Sequence, residues 1–165
     1  MVQAVVTPDG FFRLGQEMYL ACLGRGGVRV EKEEGDGATP AGLLPLRRVL
    51  YRADRVAPPR AAVPIEPIAP QDGWCDDPAD AAYNRRIRLP HGGRHEVLWR
   101  DDSVYDIIGV LGWNDAPVER GRGSAIFLHL ASPDRAPTAG CIALELRHLK
   151  AVLEKGLTEI HVILM

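Results

Sequence analysis

Ser124-Ala125-Ile126-Phe127-Leu128-His129-Leu130 is nearly unbroken apolar sequence, and its length suits a strand rather than a helix. A strand that is apolar at successive positions, instead of at every second one, is buried on both faces. A sheet covered on each side is therefore expected, with His129 near the end of this strand. The polar, proline-containing loop Ser132-Pro133-Asp134-Arg135-Ala136-Pro137 follows, and then Thr138-Ala139-Gly140-Cys141-Ile142. Upstream, Val104 to Leu111 is a second strong core signal.

Further out the pattern stays mainly β. Val2 to Val6 and Phe11 to Leu14 flank the turn signal Pro8-Asp9-Gly10. Met18 to Leu23 is another short apolar run, ending at Gly24-Arg25-Gly26-Gly27. From Leu43 to Tyr51, Leu44, Leu46, Val49 and Tyr51 fit a strand with one irregularity in its alternation. Val56 to Gln71 carries Pro58, Pro59, Pro64, Pro67 and Pro70, which excludes helix or central strand and predicts an extended surface connection. Gly73 to Asn84 reads as polar and turn-rich. One helix is predicted over Glu145–Lys155, where Leu146, Leu149, Val152 and Leu153 recur at helical spacing and Gly156 stops it. Glu159 to Leu164 closes as a strand with Ile160, Val162 and Leu164 on one face. The expectation is one domain over residues 1–165: a mainly β sandwich or barrel-like mixed sheet with one substantial helix near the C-terminus.

Composition narrows the class. The 165 residues are 46% hydrophobic and 25% charged, ordinary for a globular protein, and long enough for a core without covalent staples. A net charge of -2 gives no reason to expect nucleic acid or anionic lipid. No apolar run approaches the ~20 residues of a membrane helix. Met1 leads directly into a predicted strand, with no basic or apolar leader pattern, so no export signal is expected. Cys22, Cys75 and Cys141 make an odd count, so at least one thiol is unpaired within the chain. No sequence feature reports oligomeric state.

The chemistry concentrates between Ser124 and Leu144. A loop that leaves and re-enters the sheet within a dozen residues brings His129 towards Cys141. A thiol is a weak nucleophile until an imidazole takes or stabilises its proton, so the pair is the minimal activated unit. On that basis Cys141 is expected to hold more thiolate than a free cysteine at pH 7. Gly140 permits a tight turn in which the Gly140 and Cys141 amides are candidate oxyanion donors. Taken singly, such residues are more often a small buried thiol and a satisfied rim histidine. Tyr105-Asp106 and Trp113-Asn114-Asp115 are candidates for lining the same cleft. Trp74-Cys75-Asp76-Asp77 with His91 and His95 invites a metal reading, but it lacks ligand spacing, and turn chemistry is the preferred account. Neither a metal nor a cofactor is expected. His148 is placed on the helix surface, and His161 on the solvent face of the last strand.

The string ending in His129, followed by Thr138-Ala139-Gly140-Cys141-Ile142, resembles the active-site segment of the L,D-transpeptidase catalytic-domain (YkuD-type) family. So does Glu34-Gly35-Asp36-Gly37-Ala38-Thr39-Pro40-Ala41-Gly42, which is similar to that family's Gly-Asp-x-x-Thr-Pro-x-Gly turn. The resemblance implies Cys141 as nucleophile, His129 as base and Gly140 beside them, with His129 oriented by the Leu130 carbonyl. It implies acyl transfer from a diaminopimelate-containing peptidoglycan stem to an amine, and a covalent adduct of Cys141 with carbapenems. The same site acting with water is an L,D-carboxypeptidase or amidase, and an idle site leaves a peptidoglycan-binding module. The family implies the cell envelope or periplasm, with the cytoplasm as alternative where no signal is visible. Leu130, Ala139 and Ala143 stand where many members carry Gly or Asn, His, and Arg. Arg122 and Arg120 are the expected replacements for that Arg, with Tyr105, Asn114 and Thr138 as further substrate contacts.

Overall fold

The strand expected around His129 forms over Phe127–Leu130 and is buried at all its positions. In the computed structural model, which describes residues 1–165, it lies second from one edge of a nine-stranded mixed sheet. Across that sheet the order runs Ile142–Leu144, Phe127–Leu130, Ile107–Leu111, Gly42–Tyr51, Glu159–Val162, Gln3–Val6, Phe11–Leu14 and Glu17–Leu20. Ile65–Pro67 pairs with Gly42–Tyr51 off this path.

Alternation along the strand divides two cores. Leu128 and Leu130 join the larger, with Leu44, Leu46, Ile160 and the helix residues Leu149, Val152 and Leu153. Phe127 turns the other way, into a smaller core with Leu50, Ile108 and Tyr105. Material on both faces is why the segment reads as continuously apolar. The helix spans Leu146–Glu154, and Leu149, Val152 and Leu153 are fully buried, each contributing roughly 1.5–3 kcal/mol by leaving water. It ends before Gly156, whose φ of +93° is the left-handed conformation that favours glycine. The expected irregularity in Gly42–Tyr51 is a bulge. Val110 pairs with Arg48 but Leu111 pairs with Leu46, so Arg47 is the extra residue.

Three expectations change. The strand near His129 begins at Phe127 rather than Ser124 because Ala125 adopts a positive φ of 53°. The last strand stops at Val162, leaving Leu164 exposed. Gly73 to Asn84 is not only turns: Asp72–Cys75 is the central strand of a three-stranded sheet, between Arg86–Arg88 and His95–Val97.

Candidate active site

Phe127–Leu130 and Ile142–Leu144 are adjacent parallel strands, with Leu128 opposite Ile142 and His129 opposite Ala143. Cys141 immediately precedes the second strand, so it stands diagonally from His129 on the same face. The Phe127 amide donates to Cys141 Sγ at 3.4 Å, which fixes that placement. Two chain segments hold the turn before Cys141. Cys22 and Ala143 exchange backbone hydrogen bonds of 2.9 Å, and the Thr138 and Arg25 amides bond to the Leu23 and Thr138 carbonyls at 2.9 Å. Within the turn, Thr138 Oγ1 accepts from the Gly140 amide at 3.1 Å and donates to the Cys141 carbonyl at 2.7 Å.

The upstream glycine-rich motif meets this turn. The Asp36 carboxylate accepts the Glu33 and Ala38 amides at 2.8 Å and pairs with Lys32 Nζ, which sets the loop. Its Ala38 carbonyl then presses on Gly140, where a Cβ would lie only 2.7 Å from that oxygen at a φ of +134°. Only glycine fits there, because both the space and the backbone conformation exclude a side chain. Two motifs separated by a hundred residues of chain are thus one packed unit.

His129 and Cys141 are each 8% exposed. The Leu130 carbonyl lies 2.9 Å from His129 Nδ1, and because a carbonyl only accepts, Nδ1 carries the proton and Nε2 is the free base. The thiol donates to the Ala125 carbonyl at 3.2 Å rather than to the imidazole. Burial pushes the Cys141 thiol up to about 12, the Glu96 carboxylate adds to the rise, and the Phe127 amide and Lys32 oppose it. Burial likewise holds the His129 imidazole below its ordinary value, against the bond to Leu130. The resting pair is therefore neutral thiol and neutral imidazole. This is the opposite of the extra thiolate expected at pH 7, because burial disfavours the charged form of each side chain.

The Ala125 carbonyl reaches the thiol only because Ala125 is left-handed, which costs about 1–2 kcal/mol for a residue with a Cβ. Asn84 holds it there. Asn84 Oδ1 accepts the Ala125 amide at 3.1 Å and the Trp74 indole N–H at 3.0 Å, while its Nδ2 donates to the Trp113 and Asn114 carbonyls. Sequence reading missed Asn84; its tolerance of positive φ (57° here) was the available signal.

Cys141, His129, Thr138 and Tyr105 line one cleft of about 470 Å³. The Tyr105 ring stands edge-on to His129 at 5.3 Å, and its hydroxyl donates to Glu96 at 2.6 Å. Burial raises the Glu96 carboxyl, and the Tyr105 bond opposes that. Arg25, Lys32 and Arg100 supply positive charge to the walls, and Glu34, Asp76 and Asp102 negative charge. Lys32 is committed to Asp36 and Arg100 to Asp102, whereas Arg25 has no carboxylate partner.

Three expected substrate contacts lie elsewhere. Arg120 donates to the Pro78 carbonyl at 3.1 Å, and Arg122 is a half-exposed neighbour of Glu119 at 3.8 Å. Asn114 is a loop brace, donating to the Glu119 and Gly123 carbonyls at 2.9 Å. None of the three borders the cleft. The Cys22–Arg25 segment, and not the loop of Arg120 and Arg122, bonds to the chain around the turn before Cys141. His148 is not a free surface group, since its ring packs 4.9 Å from that of Tyr19.

Residues 6–162 match the sequence model of a family described as the L,D-transpeptidase catalytic domain, YkuD. No curated protein matches the sequence significantly.

Proposed function

The chain belongs to the L,D-transpeptidase catalytic-domain family, and on that premise we propose that it transfers the acyl group of a peptidoglycan stem tetrapeptide through a thioester on Cys141. The observation that carries this reading is the placement of Cys141 and His129 on one face of adjacent parallel strands, opening on one cleft, with His129 Nδ1 tied to the Leu130 carbonyl. That bond presents Nε2, the basic nitrogen, to the cleft side of the imidazole.

Because the resting pair is neutral, the thiol proton moves to His129 as sulfur attacks the carbonyl carbon, rather than beforehand. The Gly140 amide is already engaged by Thr138, so the Cys141 amide is the main oxyanion donor. The imidazolium then gives its proton to the departing D-alanine amine, leaving the thioester. An amine from a second stem attacks that thioester, and His129 takes the excess proton from the amine and returns it to the departing sulfur, which restores the neutral pair. Cleft walls of both signs suit a diaminopimelate side chain, which carries an ammonium and a carboxylate. Arg25 is the carboxylate anchor, in place of the arginine that Ala143 replaces. The family works in the cell envelope, and no helix of this chain is long and apolar enough to cross a membrane.

Incubation with a disaccharide tetrapeptide, followed by mass spectrometry of protein and products, tests the proposal. A Cys141 adduct equal to the tetrapeptide less D-alanine, together with cross-linked dimer, is expected; a carbapenem should acylate the same sulfur. Tripeptide without dimer would assign water as the acceptor. Full turnover in Cys141→Ala would remove the thioester route altogether.

A further inference from the structure

A second cluster of reactive side chains gathers on the small three-stranded sheet, outside the cleft. Cys75 ends the central strand Asp72–Cys75 and is fully buried. Its sulfur, a carboxylate oxygen of Asp80 and a ring nitrogen of His91 all lie within 4.8 Å of one another. Thiolate, imidazole and carboxylate are the donor types that bind zinc-like divalent ions.

The surroundings fit an ion better than a plain ion pair. His91 Nε2 sits 2.9 Å from Asp80 Oδ2, while Asp80 Oδ1 accepts the Ala82 amide at 2.7 Å, which fixes the carboxylate's aim. Gly93 backs that carboxylate: a Cβ there would fall 2.2 Å from Asp80 Oδ2, so a side chain at this position would displace the carboxylate from its present place. His95 is the register partner of Cys75 and thus stands on the same face, its ring 6.3 Å from that of His91. The Gly93 carbonyl takes the His95 Nδ1 proton at 2.8 Å, which leaves Nε2 as a free donor atom. A carbonyl on the far nitrogen is how metal-binding histidines are commonly oriented.

We propose that Cys75, Asp80 and His91 bind one zinc-type divalent cation, with His95 or water completing four-coordination. Tetrahedral ligands at zinc distances sit about 3.5 Å apart, so loading widens the His91–Asp80 pair from its 2.9 Å, while the Cys75 sulfur already lies within 4.8 Å of both. The side chains of Asp80 and His91 are partly exposed, which opens an entry path, and with Asp80 held by the Ala82 amide it is rotation of His91 that supplies the movement. On binding, Cys75 loses its thiol proton to water and the His91 proton shifts to Nδ1, so that sulfur and Nε2 face the ion. The consequence reaches the cleft. Asp76, next to Cys75, and Glu96, next to His95, both line it, so the ion clamps the wall that carries them.

The test is titration of the full Cys141→Ala chain with cobalt(II), because that background removes the cleft thiol as a competitor. One equivalent should produce a near-ultraviolet sulfur-to-cobalt band and strong visible bands of four-coordination, both displaced by zinc(II). Zinc should raise the melting temperature of the same protein. His91→Ala, folded by circular dichroism, should weaken cobalt binding by about a hundredfold or more, since even supporting partners matter at the 10- to 100-fold level. Cys75→Ala should abolish the near-ultraviolet band. A cobalt signal that never saturates, or one that keeps its affinity in His91→Ala, overturns the site.

Discussion

Protonation of Cys141 is the point at which the structure makes the strongest demand. A thiol pushed up to about 12 is ionised to about one part in 10⁵ at pH 7, against about 3% for a cysteine of ordinary pKa ~8.5. Thiolate is the reactive form, so alkylation of Cys141 by iodoacetamide should run far slower than that of a free thiol, even though a thiolate of higher pKa is the stronger nucleophile. Glu96→Gln removes the carboxylate that raises the thiol and keeps an oxygen to accept the Tyr105 hydroxyl. Its Cys141 should therefore react faster at pH 7, about tenfold for each unit by which the thiol falls. His129→Ala should change little, because the thiol proton rests on the Ala125 carbonyl. The assay is timed alkylation from pH 6 to 10.5, with the Cys141 peptide quantified by mass spectrometry. An inflection below 8.5 in the wild type that disappears in His129→Ala would refute the neutral-pair account and restore a thiolate–imidazolium pair.

Further outcomes are expected elsewhere. Gly121→Ala meets nothing within 4 Å and carries only the strain of its φ of +81°, about 1–2 kcal/mol, whereas Gly140→Ala adds a clash with Ala38 worth about 1–3 kcal/mol more. Equal melting temperatures for the two variants would contradict the close approach. Asn84→Ala leaves the Trp74 indole and the Ala125 amide without their acceptor, so urea unfolding should show a loss of about 2–5 kcal/mol. Arg25→Ala should lower kcat/KM about 10- to 100-fold, from a charged hydrogen bond of about 1.5–3 kcal/mol, while Arg120→Ala and Arg122→Ala turn over as wild type; the reverse ranking would return the anchor to the outer loop. Because the folded His129 pKa is lowered, its contribution to stability is complete above the unfolded value of ~6.5 and is lost as pH falls towards the folded one. Stability should consequently decline less below pH 6.5 in His129→Gln than in wild type, as read from denaturant melts.

Features that depend on local pattern are legible in the chain of residues alone. Uninterrupted apolar residues around Phe127 mark a strand with cores on both sides, broken alternation near Leu46 marks the bulge at Arg47, and the spacing of Leu149, Val152 and Leu153 marks the helix. Glycine before Cys141 signals a turn that no side chain can occupy. Tertiary structure decided which distant segments meet. Parallel pairing of Phe127–Leu130 with Ile142–Leu144 sets Cys141 diagonal to His129, and periodicity carries no information on partner or direction. Strands of three or four residues, such as His95–Val97, are too short to show a period, so the small sheet and its Cys75–Asp80–His91 cluster emerged only in space. Arg25 reaches the cleft, and Arg120 and Arg122 do not, because Cys22 bonds to Ala143 across the fold. Protonation of Cys141 is the furthest from sequence of all, since it is set by how much water the packed chain excludes from the sulfur.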